Sequence, residues 1–491
     1  MGWHPAGIFA VYVLKLRLMK ALLTLILMTL VGLAHGQISK SYSSSRNGKD
    51  NYVYKTSNGI SSFNIETRGK FELTEDDQDI KSMSNDGYLE ITKVVFGSRR
   101  SIIISPEGNG LKREYYEGRS KISFEPDGRR WLSEVLPEVV RSTTVGAESR
   151  VNRFYRKGGT TAVLTEINQI ENDHVKAHYA NLLMGLPVSS KEYASVITQM
   201  AGTLDSDHYL TEFLQKNIEK FLSNKEATTA VFYATRKMDS DHYKTEVIKE
   251  ALKSSPATLE NVRIIMRATS DMDSDHYKTE VITNLLRQNN LTDGIIAEMI
   301  DASKTVESDH YRTVILTKAL NKPGLSAVSY QRAMESVRDI DSDHYKTEVL
   351  KSLIRNPMGE EAQLNLMSMI TSIDSDHYMN VIASEIVERQ NLSDASFQKL
   401  LEAMGSNGSD HYMAVFLQNA MQRPNLTRQN VQAILQAVGR IDSDHYKTEV
   451  LTDVASHIKA LNEASLKEAY RAAAKGIDSE TYYGRAMRAI D

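Results

Sequence analysis

Two hydrophobic periodicities divide the chain. Between Tyr52 and Gly118 apolar and polar residues alternate, or apolar residues run in short β-branched blocks, as in SFNIETRGKFELT from Ser62, GYLEITKVVFG from Gly87, RSIIIS from Arg100 and LKREYYEG from Leu111. With Asn-Gly, Asn-Asp-Gly and Pro-Glu-Gly turns nearby, this period of two predicts a small antiparallel sheet. Such a sheet needs cover on one face. The segment RRWLSEVLPEVVRST from Arg129 offers an amphipathic helix with Trp131, Leu132, Val135 and Leu136 on its apolar stripe.

From about Gly159 onward the pattern becomes helical and repeats. The stretch DSDHYKTEVL, Asp341 to Leu350, has close copies marked by His174, His208, His242, His276, His310, His344, His377, His411 and His445, every interval being 34 residues except one of 33. Eight of these nine carry the full Ser-Asp-His-Tyr string, the first reads ENDHVK, and DSETYYGRAM near Ser479 is a decayed tenth copy. A fixed period of this size marks stacked supersecondary units with atypical ends. Each unit reads as two helices. AVSYQRAMESVRDI from Ala327 has a helical stripe, the Asp-Ser-Asp break follows, and HYKTEVLKSLIRN resumes with Tyr345, Val349, Leu350, Leu353 and Ile354 near one face. The connectors NKPGLS and RPNLTR place Ser326 and Thr427 as N-caps of the next first helix.

The expected fold is therefore α+β: a small antiparallel β domain followed by an all-α solenoid of about nine to ten helical hairpins. The period matches the tetratricopeptide length without that family's Trp, Leu-Gly and Pro signature, so the array reads as HEAT-like or unclassified. The boundaries are residues 1–36 for a signal peptide, 37–51 for a flexible lead-in, 52–128 for the β-rich domain, 129–158 for connecting helices and 159–491 for the repeats.

The motif admits three readings. As a helix start, Ser342 or Asp341 accepts from the unpaired N–H groups of the first turn, and Asp343 lies where the helix dipole favours a carboxylate. Helical phase puts Tyr345 on the apolar edge and His344 roughly opposite, facing outward, so the histidines form a row open to a protein partner. As a divalent-metal array, the ligands are Asp205, Asp207 and His208; Asp239, Asp241 and His242; Asp273, Asp275 and His276; Asp341, Asp343 and His344; Asp374, Asp376 and His377; and Asp442, Asp444 and His445. Against metal, a closed site needs three or four converging ligands, and neighbouring helices lie about 8–10 Å apart. The spacing also lacks the Gly and Glu of an EF-hand loop.

No catalytic motif occurs: there is no His-Glu-x-x-His, no Gly-x-Ser-x-Gly, no phosphate loop and no cysteine nucleophile. No catalytic or cofactor-binding residue and no cofactor is expected. Fifty-nine basic against sixty-three acidic side chains give a net charge of −4, without the basic excess of a nucleic-acid binder. From Met19, MKALLTLILMTLVGLAHG combines Lys20, the apolar run Ala21 to Leu33 and small residues at Ala34-His35-Gly36, which reads as an export signal cleaved near Gln37. Residues 1–18 are then an extended n-region or follow from an upstream start. A retained anchor is the other reading, although thirteen apolar residues fall short of a span of about twenty. Cleavage removes Lys15, Arg17 and Lys20 and takes the charge from −4 to −7, which gives no sign of attraction to anionic membranes. Without cysteine there is no lipoprotein anchor and no disulfide, so the expected location is the periplasm or outside a bacterial cell, with no membrane span after cleavage.

Residues 124–176, FEPDGRRWLSEVLPEVVRSTTVGAESRVNRFYRKGGTTAVLTEINQIENDHVK, resemble the extracytoplasmic regions attached to some bacterial membrane peptidases of the BlaR1 type. There a Trp-Leu helix leads through a Gly-Gly step into repeats resembling Ile-x-Ser-Asp-Tyr-x-Lys-x-x-Val-Leu. Ile340, Ser342, Asp343, Lys346, Val349 and Leu350 fit that pattern, while His344 stands where those repeats carry Tyr. The peptidase domain and its zinc helix have no counterpart here, so the resemblance implies a non-catalytic, envelope-side sensor or adaptor that binds a protein partner.

Overall fold

The computed structural model describes residues 39–44, 52–57, 59–254, 257–405, 409–424 and 426–491. The expected signal segment 1–36 lies outside them. Among the described residues no helix is long and apolar enough to cross a membrane. The chain forms two compact units, one ending at Asn217 and one beginning at Ile218.

The first unit opens with an antiparallel sheet of seven strands, β1 (Ser39–Ser44), β2 (Tyr52–Ser57), β3 (Ser61–Arg68), β6 (Tyr88–Val95), β7 (Ser98–Glu107), β8 (Gly110–Glu117) and β9 (Ser120–Ile122), in that spatial order. Strands β4 (Phe71–Leu73) and β5 (Ile80–Met83) pair separately. Strand β1 lies inside the stretch read as a flexible lead-in, and its pairing with β2, Tyr42 opposite Tyr54, corrects that boundary. The polar SKSYSS sequence offers no hydrophobic alternation to reveal an edge strand. On the covered face, Ile65 stands opposite Ile91, Ile91 opposite Ile102 and Leu89 opposite Ile104. These residues form one core with Tyr115 and with Trp131, Leu132, Val135 and Leu136 of helix α1 (Arg129–Ser142). The amphipathic helix thus covers the sheet as its stripe requires.

Helix α2 (Ala147–Ile167) follows, kinked at Gly158 and Gly159. Gly159 has φ +63°, a conformation that residues with a Cβ rarely adopt. The boundary drawn at 158/159 falls at this kink. Helix α3 (Asp173–Met184) carries the first motif copy, capped by Asn172, whose side chain accepts from the N–H groups of His174 and Val175. The second copy opens the helix Asp207–Lys216.

The second unit is a run of helical hairpins, as the 34-residue period predicts. One repeat comprises a first helix, Ala327–Arg338, and a second, Asp343–Ile354; the next comprises Glu360–Ile370 and Asp376–Arg389. First helices contact first helices and second contact second along the array. Each hairpin buries one side of both helices, Ala333, Met334 and Val337 from the first and Val349, Leu350, Leu353 and Ile354 from the second, with Ile340 of the break between them. Ser326 and Thr427 are the N-caps expected of them, accepting the N–H groups of Ser329 and Asn430. The fold is α+β, a small antiparallel β domain followed by an α-helical repeat solenoid.

Candidate functional site

The repeated motif starts each second helix, but its acids do not act as the sequence led us to expect. Ser342 is the N-cap with extended backbone, and its side chain makes no capping hydrogen bond. Its N–H, with that of Asp341, is instead donated to the preceding repeat: Asp309 Oδ2 accepts from Asp341 at 3.1 Å and from Ser342 at 2.8 Å. Asp343 in turn accepts from Ser375 at 2.8 Å. The same clasp joins Asp173 to Asp205 and Ser206, Asp241 to Asp273 and Ser274, Asp275 to Ser308, Asp410 to Asp442 and Ser443, and Asp444 to Asp478 and Ser479. At Ser342 the capping reading is thus corrected, whereas Ser409 does accept from the Tyr412 N–H at 3.5 Å. The carboxylate that binds backbone N–H groups is the one at the first helical position, and the donors belong to the next repeat. A carboxylate accepting from N–H is a charge-assisted bond, and here it also lies at the positive end of its own helix.

Where the residue three positions later is basic, it completes the joint; Leu210, Met379 and Met413 stand there in the other copies. Lys346 is buried, and its Nζ donates to the Ser372 carbonyl at the end of the next first helix, at 3.3 Å. Lys176 reaches Thr203 O, Lys278 reaches Thr305 O and Lys447 reaches Gly476 O, each within 2.8 Å. In the repeat where arginine replaces lysine, Arg312 Nη1 donates to Asp339 O at 2.6 Å. The cation sits where terminal carbonyls leave unpaired acceptors and the dipole is negative. Lys176 also pairs with Asp173 at 2.9 Å, so acid and base of one motif support each other while holding both ends of the neighbouring element.

The histidine and tyrosine rings form the outer edge. In the second unit each histidine of the motif, from His242 to His445, is exposed, and each tyrosine from Tyr243 to Tyr446 is half-buried. Every such His ring lies 5.1–5.3 Å from the Tyr that follows it in sequence. It also lies 5.4–6.1 Å from the Tyr of the next repeat. The rings therefore make one uninterrupted ladder from Tyr243 to Tyr482. His344 faces outward as helical phase predicts. Tyr345, expected on the apolar edge, is half-buried and lies between His310 and His344.

Among the described residues no group of three or more His, Asp or Glu side chains converges to hold a metal ion. The geometry explains why. Asp241, Asp275, Asp343 and Asp444 point along the array into backbone N–H groups, while His242, His276, His344 and His445 point out of it. Of the other acids of the metal reading, Asp205, Asp239, Asp273, Asp341, Asp374 and Asp442 are exposed at the helix entrances, and Asp207 and Asp376 are half-buried. The divalent-metal array gains no support.

Sequence reading missed a buried charge network in the first unit. Arg150, 2% exposed, donates to Asp77 at 3.0 Å, to Glu166 at 2.7 Å and to the Tyr179 hydroxyl at 2.5 Å. Arg153 joins through Asp77, and Arg141 grips Glu166 with two hydrogen bonds at 3.0 and 3.2 Å. Burial opposes the charge on Arg150, yet Tyr179, Asp77 and Glu166 outweigh it and raise its pKa. Burial likewise favours neutral Glu166, but the bonds from Arg141 and the charge of Arg150 prevail and hold its carboxyl below the ordinary value. Asp77 sits in the β4–β5 turn with φ 57°, so the network pins that turn to α2. Arginines at 150 and 153 beside Val151 in a helical stripe were the available signal. Nearby, a cavity of about 570 Å³ is lined by Tyr54, Phe63, Lys93, Glu138, Arg141 and Gln169.

The fold and motif define a helical-repeat protein with an N-terminal β domain. No family model matches the chain, and no curated protein matches it. A solved structure described as a computational design of self-assembling cyclic protein homooligomers aligns with 65% of this chain and 97% of its own at 12% identity. Its TM-score of 0.12 carries no argument about fold or function.

Proposed function

We propose that this is a non-catalytic bacterial envelope protein, exported to the periplasm or beyond, whose repeat array is a scaffold or adaptor for another protein. One observation carries the reading. The first-turn aspartates and the buried lysines of the motif are committed to joining repeats, as Asp309 is to Ser342 and Lys447 to Gly476. What the array offers outward is a long, regular surface edged by aromatic rings, which suits binding more than bond-making. The resemblance of residues 124–176 to extracytoplasmic regions of BlaR1-type peptidases supports a sensing or adaptor role on the same side of the membrane.

A pull-down from native envelope extract with the full chain tests this, read beside a hydrolase substrate screen. A saturable protein partner, lost when exposed ladder residues are changed, is the expected result. Recovery of no partner together with hydrolytic turnover would move the protein to the enzymes.

A further inference from the structure

The strongest unexplained feature lies in the β domain. Three hairpin turns meet at one end of the seven-stranded sheet: β2–β3, β6–β7 and β8–β9, aligned because Ser61 pairs with Val95, Val95 with Ser98 and Arg100 with Glu117. At the tip of the middle turn stands Phe96, 83% exposed, flanked by Ile60 at 57% and Val95 at 40%. The turn has two residues, Phe96 with φ 49° and Gly97 with φ 80°, a conformation that favours Asn or Asp followed by Gly. A bulky side chain with positive φ is an outlier, and such strain persists where it serves a function. Phe96 gains no burial to offset it. The backbone is nevertheless fixed, since Phe96 N–H donates to Ile60 O at 3.1 Å and ties two of the turns together.

Around this apolar tip the charge is basic. Arg99 and Arg100, at the start of β7, and Arg119, in the β8–β9 turn, are exposed. Arg100 lies 3.7 Å from Glu117, whereas Arg99 and Arg119 form no ion pair among the described residues. We propose that this tip is a membrane-surface anchor: Phe96, Ile60 and Val95 enter the headgroup region of an anionic bilayer and the arginines bind lipid phosphates. Apolar groups inserting at the interface beneath a collar of cations are what such surfaces select. A protein groove fits less well, because three side chains on a convex tip fall far short of the roughly 800 Å² per partner of a stable interface. The acidic total of the chain hides this local excess, which is why net charge alone points the other way.

Flotation of the full chain with vesicles of phosphatidylcholine, alone or mixed with one-third phosphatidylglycerol, tests the anchor. The expected result is salt-sensitive flotation with the anionic vesicles and weaker flotation with the neutral ones. Phe96→Asn should weaken binding at least about tenfold, as expected from losing one inserted aromatic side chain. The same variant should keep or raise the thermal midpoint, since Asn accepts positive φ. Arg99→Glu with Arg119→Glu should abolish the preference for anionic vesicles. A wild-type chain that stays out of anionic vesicles at low salt, or a folded Phe96→Asn chain that floats as the wild type does, overturns the proposal.

Discussion

The Asp343 carboxylate accepts the backbone N–H of Ser375 at 2.8 Å, joining the start of one second helix to the start of the next. Removing it leaves a donor at a repeat junction without its charged acceptor. Asp343→Ala should destabilise the array locally by about 1.5–3 kcal/mol, the range for a hydrogen bond to a charged group. Asp343→Asn, which keeps an oxygen in place, should lose less. Because repeat arrays open in parts, the measurement is amide hydrogen exchange at Ser375 and its neighbours. Unchanged protection there in Asp343→Ala would mean that the clasp does not hold the junction.

The aromatic ladder ranks its own substitutions. Tyr345 is half-buried between imidazoles, so Tyr345→Ala should cost about 1 kcal/mol, of the order of one aromatic pair. Leu350→Ala, at a fully buried site, should cost about 2–5 kcal/mol. His344→Tyr keeps a ring in the exposed position and should be near neutral. Chemical denaturation of the three variants gives the order. Tyr345→Ala exceeding Leu350→Ala would make the ladder, rather than the apolar layer, the main support of the stack.

Acid should loosen the first unit through Glu166. Its carboxyl releases a proton more readily in the folded chain than in the unfolded one. Its contribution is therefore complete above the ordinary glutamate range and is lost as pH falls through the depressed folded value. Glu166→Gln should flatten this part of the stability–pH profile and lower stability at neutral pH, where buried Arg150 loses a counter-charge. A profile of the same slope in wild type and variant, measured by thermal unfolding across the acid range, would remove Glu166 from that role.

The architecture was legible in the sequence because both periodicities are strong and the repeat is nearly invariant in length. The β6, β7 and β8 segments, the covering helix with Trp131, and the caps at Ser326 and Thr427 all follow from local pattern. Strand β1 was hidden because an edge strand without apolar alternation carries no period. The motif was half legible. Helical phase fixes which way His344 points, but it sees one helix at a time, whereas Asp343, Lys346 and Tyr345 act on the next repeat or the one before. Recurrence of a basic residue at Lys244, Lys278, Arg312, Lys346 and Lys447 was the clue to a buried cation. Phe96 escaped because turn chemistry is read from favoured residues, and a phenylalanine in an Asn position carries no rule.

The clasp joins a side chain to a backbone, and only one of its partners has a required identity. Asp309 needs the N–H of Ser342, which nearly any residue would supply in its place. A whole unit can therefore be duplicated or deleted without a matching change in its neighbour, because the newcomer brings its own acid and meets a donor already present. The one short interval, between His344 and His377, shows the tolerance of the opposite edge: its missing residue falls in the connector before Glu360, and the clasp from Asp343 to Ser375 is intact. Variation in length is thus confined to one rim of the array. That makes the connectors the natural ports for inserted tags, grafted loops or new units.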